Sequence, residues 1–332
     1  MKAYMLDFAA RRGEFRELPE PVRQSGEVLL RVAAGGVCGT DRELAAFHIG
    51  EPPAGEPFLV LGHEACAQVV EADRMGPLQV GDWVAPMVRH ACAARCPFCL
   101  RGRVDQCNSG GYRDSGIVGR HGYFREYVAE DPTHLIRVPA ALAEFAVLLE
   151  PLSVVEKAVA RALQLAAGPA GQALVVGAGP IGCLTALVLT QRGIPVTVHS
   201  MEPPDHPRVQ WLKRIGVLYN QPVKADLAFE AAGVGAAAEL AIKSLAPNGV
   251  CAILGAREAQ VEMPFRTMIL ENQTVFGSVN ADRASWEVAV TDLARTDRGL
   301  LETFVERRSF TDLPRSLVET APQAAKLVHI LH

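Results

Sequence analysis

One glycine-rich turn constrains this chain more than any other feature. Gly177-Ala-Gly179-Pro180-Ile181-Gly182 fits G-x-G-x-x-G; it follows the apolar run Ala173–Val176 and opens a stretch with helical patterning, Ile181–Gln191. Alone the pattern is weak. Between a strand and a helix it is a dinucleotide fingerprint. Gly177 allows the tight turn, Gly179 lets a pyrophosphate approach the backbone, and Gly182 lets the helix pack close to the strand. The amides at the helix start then face the phosphates. A glycine turn without a ligand is the bland alternative, and the flanking elements weigh against it.

The surroundings agree. After Ala173–Val176, the patterns read helix over Ile181–Gln191, strand at Val196–His199, helix at Val209–Ile215 and strand at Leu227–Ala231. Ala236–Leu245 then reads as helix and Val250–Leu254 as strand. This alternation specifies a doubly wound α/β unit with a parallel sheet. An acidic residue is expected roughly 20 residues past the turn, where it would hold the ribose hydroxyls of NAD. The second strand runs out at Val198-His199-Ser200, with Glu202 just beyond. No arginine pair stands there for the 2′-phosphate of NADP; Arg208 is the nearest. The choice leans to NAD through Glu202, with a surface glutamate of no role as the competing reading.

The stretch before about Glu150 has another texture. Val28–Val32 and Val80–Val84 are short strand-like runs, and Gly and Pro recur at close intervals. A β-rich unit is expected there, then a helix over Leu152–Leu165 and a turn at Gly168–Gly171. The tail from about Ala281 is expected to pack back onto this first unit. The domains are therefore read as 1–152 with 281–332, and 153–280.

Four of the eight cysteines fall in Cys92-x3-Cys96-x2-Cys99-x7-Cys107. Thiolates at such short spacing can close a tetrahedral structural zinc site. Four free thiols on a loop would be prone to oxidation. A second set is scattered: Cys38-Gly-Thr40-Asp41, Gly62-His63-Glu64, and Glu150 in Leu148-Leu-Glu-Pro151. Thiolate, imidazole and carboxylate together suit zinc. Singly, a buried thiol and a satisfied core histidine are the default readings. Glu150 sits among apolar neighbours, where a metal or a salt bridge would relieve the cost of its charge. His48, His121 and His134 are isolated and read as surface or loop residues.

Charge and composition exclude several partners. The formal net charge is -4 with no basic block, so neither nucleic acid nor an anionic membrane has electrostatic support. No apolar stretch is long enough to span a bilayer. Met1–Asp7 leads straight into a strand-like run, without the regions of a signal peptide. A cytoplasmic protein is expected.

Taken in order, the motifs resemble the zinc-containing medium-chain alcohol dehydrogenases, and within them the glucose (aldose) 1-dehydrogenase branch. The resemblance rests on Cys38–Glu43, Leu59–Ala65, Cys99–Cys107, Gly116–Gly122, Glu150–Lys157 and Gly277–Asn280. It implies an α/β chain with a GroES-like β-rich catalytic domain carrying both zincs and a Rossmann cofactor domain. Cys38, His63 and Glu150 would hold the catalytic zinc, with Glu64 as a ligand or just behind one. Thr40 would pass the substrate proton outward. Asp114 and Asn280 would contact the sugar together with Thr40 and Glu150, and Asn280 would also lie near the nicotinamide. Zn2+ and NAD or NADP are the implied cofactors, and a homodimer or homotetramer the implied assembly. A dehydrogenase of another polyol, a cyclitol or a secondary alcohol is the nearest alternative, and a non-catalytic NAD(P)H-binding protein a more distant one. The sequence departs from the pattern in places. Asp114 stands for a glutamate, Val88 for an asparagine ahead of the cysteines, Ala67 for a glycine, and Met201 with Glu202 for arginines. Those departures bear on the sugar and on the cofactor choice.

Overall fold

The computed structural model describes residues 1–255, 260–319 and 322–332. Its cofactor half is a six-stranded parallel sheet. In spatial order the strands are Leu218–Tyr219, Val196–His199, Ala173–Val176, Ala225–Glu230, Leu245–Ile253 and Thr274–Gly277. Numbered along the chain this is the order 3-2-1-4-5-6, and the order reverses between the first and fourth strands. Ligands of open α/β sheets bind in the crevice at such a point. The glycine turn leaves the first strand there. The strand Ala173–Val176 is buried along its whole length, as a strand covered on both faces by helices must be.

The other half is built on a seven-stranded sheet. The long strand Val28–Val37 is central and pairs with Glu64–Glu71, Tyr127–Glu130 and Lys326–Ile330. Trp83–Pro86 and Leu135–Val138 extend it on one side, Val305–Ser309 on the other. The tail strand Lys326–Ile330 thus pairs antiparallel with the central strand of this sheet. The helix Arg283–Arg295, by contrast, packs mainly on the helix Leu149–Leu165 that joins the two halves.

Most strand and helix expectations hold to within a few residues. The run Val80–Val84 does not: Gly81 has φ +95°, Val80 is exposed, and the strand begins only at Trp83. The apolar letters there cover a turn. Leu245, expected to end a helix, instead opens the strand Leu245–Ile253, because the helix before it stops at Lys243. No helix among the described residues is long and apolar enough to cross a membrane.

Candidate active site and metal centres

Three strand ends bring the first constellation together. Val28–Val37 runs directly into Cys38, Glu64 opens the strand paired with it, and Lys326 opens the tail strand on its other side. The register sets Gly36 opposite Glu64 and Leu327 opposite Val37. A side chain at Gly36 would collide with the Glu64 carboxylate and the Lys326 stem, so glycine is what lets those two groups meet there.

Cys38 also caps the helix Gly39–Ala45. Its sulfur accepts from the Thr40 N–H at 3.2 Å, and its own N–H donates to Asp41 Oδ2 at 2.9 Å. The Cys38 sulfur lies 3.0 Å from His63 Nε2. The ligand atoms of Cys38, His63 and Glu64 all lie within 4.8 Å of one another. His63 Nδ1 faces Asp41 Oδ1 at 3.2 Å, an arrangement that leaves Nε2 to face the cluster. Asp41 is fully buried.

The charges are mutually dependent. Burial works against the charged form of His63, but the Cys38 sulfur and the Asp41 carboxylate hold it well above the usual imidazole range. Lys326 is buried, yet Glu64 and Cys38 keep its ammonium charged. The Lys326 Nζ is ion-paired with Glu64 Oε2. Glu150 lies outside the group of three. Its carboxyl is coupled to the group electrostatically: burial pushes it up to about 7, and His63 and Lys326 pull it back against Glu64. So the structure gathers Cys38, His63 and Glu64 directly and sets Glu150 as a neighbour. Thr40 is half-buried at the first turn of the Cys38 helix.

The second cluster fits a metal more closely. Cys92, Cys96, Cys99 and Cys107 place their sulfurs within 4.8 Å of one another. Cys92–Cys99 and Cys96–Cys107 are 3.8 and 3.9 Å apart. Tetrahedral thiolates around zinc, with Zn–S of about 2.3 Å, stand roughly 3.8 Å apart. A disulfide would need about 2.05 Å. Backbone N–H groups of Cys99 and Asn108 pull the Cys96 thiol down to about 6, which favours the thiolate a metal needs. The lobe is tied down by Asp105. Despite its burial, Arg103 and Lys157 hold Asp105 ionised and lower it to about 2. Lys157, on the joining helix, lies 2.9 Å from Asp105 and donates to the Val279 carbonyl at 2.9 Å. Asn280 follows in a left-handed conformation, φ +58°, with its side-chain oxygen accepting from the Ala281 N–H.

Asp114 departs from expectation. Both its oxygens are taken by Arg89, at 2.8 and 2.7 Å, and both residues are buried. The Arg89 guanidinium stacks on Tyr112 at 3.7 Å. Arg89 fills one acceptor position on each oxygen, and burial leaves little of the carboxylate open to a sugar hydroxyl. Val88, expected to stand where an asparagine would, packs in the core, and Arg89 beside it is the residue that meets Asp114. The sequence reading missed Arg89 and Lys326 and named Asp41 only within the Cys38 fragment, without a role of its own. Asp41 carried a signal, since it lies three residues after Cys38; Arg89 and Lys326 carried none.

A third group, His90, Glu130 and His134, also brings ligand atoms within 4.8 Å. The two rings are stacked, 4.1 Å between centroids and 23° apart, and His90 Nε2 lies 3.2 Å from Ser115 Oγ. Glu130 is already bound to Arg120 and to the Asp131 N–H. This is a buried polar network. His134 is therefore no isolated loop residue, and His121 stacks on Phe58 and pairs with Glu56.

The glycine turn has the geometry of a cradle. Gly177 has φ +114°, a side chain at Gly182 would overlap the Gly177 carbonyl, and nothing lies within 4 Å of the space a Cβ would fill at Gly179. Pro180 and Ile181 open the helix Pro180–Gln191. Ser200 Oγ meets Tyr219 Oη at 2.7 Å, and Glu202 Oε1 pairs with Arg208 at 3.1 Å. These residues fit a dinucleotide.

Comparison with known proteins adds the following. Residues 24–140 match the family described as Alcohol dehydrogenase GroES-like domain, and residues 143–327 the family Glucose dehydrogenase C-terminus. A glucose 1-dehydrogenase of Methanocella arvoryzae is 35% identical over 317 residues, covering 88% of each chain. One from Thermoproteus tenax is 36% identical over 301 residues, covering 86% of this chain and 85% of its own. Among solved structures, Haloferax mediterranei glucose dehydrogenase in complex with NADP, Zn and gluconolactone superposes with a TM-score of 0.92. Its identity is 30%, over 100% of this chain and 99% of the other.

Proposed function

The chain belongs to the zinc-containing medium-chain alcohol dehydrogenases, in their glucose dehydrogenase branch, and from that premise we propose that it oxidises the C1 hydroxyl of a glucose-like aldose to the lactone. It is a zinc-dependent, NAD(P)-dependent sugar dehydrogenase, and NAD is the proposed cofactor. The observation that carries this reading is the meeting of Cys38, His63 and Glu64 within 4.8 Å.

Cys38, His63 and Glu64 are the proposed holders of the catalytic zinc, with Glu150 beside them, and Cys92, Cys96, Cys99 and Cys107 those of the structural one. Zinc, when bound, supplies a Lewis acid that lets a hydroxyl ionise near neutral pH, and the nicotinamide accepts hydride. Asp41 orients the His63 ring. Lys326 balances the buried carboxylates, so that the cluster does not gather uncompensated negative charge. Thr40 carries the substrate proton away from the site. Gly177, Gly179, Pro180, Ile181 and Gly182 seat the pyrophosphate, while Ser200 and Glu202 face the adenosine ribose. Asn280 sits towards the nicotinamide and the sugar.

The Arg89–Asp114 pair favours a second reading on substrate: another polyol, a cyclitol or a secondary alcohol in place of the aldose. A bare NAD(P)H-binding role leaves the gathered metal ligands without a purpose. None of the eight cysteines is in a disulfide, which suits a reducing, cytoplasmic compartment. The partner proposed beyond the sugar is a second copy of the chain. Among the described residues Thr274–Gly277 is an edge strand, and the neighbouring helix Phe265–Leu270 exposes Phe265, Ile269 and Leu270. An apolar edge of this kind needs cover.

The test is reduction of NAD and NADP by a panel of aldoses, polyols and simple alcohols, with zinc measured on the same sample. Aldose oxidation with about two zincs per chain is the expected result. Two zincs with activity on other alcohols alone would replace the aldose by the second reading. Loss of both zinc and nucleotide reduction would overturn the enzyme itself. Sedimentation of the same sample reads the assembly.

A further inference from the structure

The loop after the last strand of the parallel sheet is held from the other half of the molecule. Residues 278–282 leave the carboxyl end of Thr274–Gly277 and lead into the helix Arg283–Arg295. Ligands of open α/β sheets bind outside such strand ends. Between the buried Phe276 and the buried Ala281 the loop has no buried side chain, and Val279 is exposed. Apolar packing therefore does not fix it.

Polar ties fix it instead. Lys157 Nζ, on the helix Leu149–Leu165, donates to the Val279 carbonyl at 2.9 Å and lies 2.9 Å from Asp105 Oδ2. Asp105 belongs to the cysteine lobe, between Cys99 and Cys107, and its side chain is wholly buried. Arg103 donates to the same carboxylate at 3.1 and 3.2 Å and reaches Asp282 Oδ2 at 3.5 Å. Asp282 Oδ1 in turn accepts from the Ser285 N–H at 3.0 Å and so caps the helix Arg283–Arg295. Two cations that share one buried carboxylate thus reach the loop on either side of Asn280. Asn280 itself has φ +58°, a backbone conformation that asparagine tolerates.

We propose that Asp105 and Lys157 are positioning residues for the nicotinamide end of the cofactor. Through this carboxylate and this ammonium, the cysteine lobe sets the place of residues 278–282. The proposal rests on the reading of Asn280 as facing the nicotinamide. Lys157 is buried, and Asp105 supplies the counter-charge that a buried ammonium needs. The Val279 carbonyl therefore accepts a charge-assisted hydrogen bond, stronger than one from a neutral donor. Closing the four cysteines fixes the short turn Val104–Gln106, and with it the carboxylate. The lobe then has a task beyond its own stability, and both residues act on the cofactor through the loop.

The experiment measures dissociation constants on the zinc-loaded chain without sugar, for NADH from its fluorescence and for ADP-ribose from its displacement of NADH. ADP-ribose lacks the nicotinamide and so reports the glycine turn alone. The wild type is compared with Lys157→Met, Asp105→Asn, their double variant and Asn280→Ala. Lys157→Met should weaken NADH by roughly tenfold, the scale of one charged hydrogen bond, while ADP-ribose and zinc content stay as in the wild type. Asp105→Asn, close in size, should act in the same direction and carries the test if Lys157→Met does not fold. The double variant should be no weaker than the weaker single one, because both cut the same chain of contacts. Equal losses for NADH and ADP-ribose would leave a merely structural role and overturn the proposal, as would additive losses in the double variant. Asn280→Ala separates this proposal from the reading beneath it. A NADH loss there with none in Lys157→Met refutes the tie alone. No NADH loss in Asn280→Ala means that the loop does not face the nicotinamide, and both fall. If the wild type binds neither ligand, the dinucleotide reading fails and the tie with it.

Discussion

Glutamate 156 should make the stability of this chain fall as pH rises, and replacing it by glutamine should remove that fall. Glu156 lies on the helix Leu149–Leu165, against the helix Arg283–Arg295, with its side chain almost wholly buried. Burial pushes its carboxyl from 4.5 up to about 7; Asp292 adds to the rise and Arg192 opposes it. Arg192 bridges the two acids, hydrogen-bonded to Glu156 and 3.2 Å from Asp292. One Glu156 oxygen is buried with no hydrogen-bond partner. In the unfolded chain the group ionises near 4.5, whereas in the fold it keeps its proton to about 7. Because the folded value is the higher one, its stabilisation is complete below 4.5 and is lost as pH rises through about 7. At about 1.36 kcal/mol per pH unit of displacement, the whole effect is about 3 kcal/mol. Roughly 2.5 kcal/mol of it falls between about pH 5 and about pH 8. Glutamine cannot ionise, so Glu156→Gln should gain on the wild type by that amount across this interval. Urea unfolding of both proteins at the two pH values, followed by tryptophan fluorescence, gives the difference directly. Parallel pH dependences would show that the carboxyl is not held protonated at this helix interface, and the argument would fail.

Other consequences can be checked on the same material. Asp41→Asn leaves the His63 ring without its anionic partner and should weaken zinc at the Cys38 site by about 10- to 100-fold, measured by competition with a chromophoric chelator. Arg89→Met strands Asp114 as a buried charge and should cost about 3–5 kcal/mol in unfolding experiments. The double variant Arg89→Met with Asp114→Leu should recover most of that, and failure to recover would mean that Arg89 acts through something other than the pair. Cys96→Ser should lower the zinc content from about two to about one per chain. Elemental analysis with thiol titration would then find the remaining lobe cysteines reactive, and an unchanged metal content would remove the structural site.

Much of this protein is readable along the chain, because the signals concerned are local. The parallel sheet announces itself in apolar runs separated by helical patterning. The turn Gly177–Gly182 needs only six consecutive residues to state its geometry, and the four-cysteine lobe closes over a short loop. The scattered candidate ligands Cys38, His63 and Glu64 could be grouped by their chemistry, but no local rule links a strand end to a residue far along the chain. Where local letters compete with geometry, they mislead: Val80–Val84 looks like a strand, but Gly81 turns the backbone there.

Pairings between distant elements belong to the tertiary structure alone. Lys326 is an ordinary tail lysine in the sequence; antiparallel pairing of its strand with Val28–Val37 buries it against Glu64. Arg89 and Asp114 are separate surface-type letters until two short strands set them opposite each other and close both carboxylate oxygens. Arg208 and Glu202 meet only when a helix start folds over the glycine turn. In each case the chain carries the residue, but a charge takes its meaning from the partner that desolvation forces upon it. That partner is chosen by strand register and helix packing, which no single stretch of sequence contains.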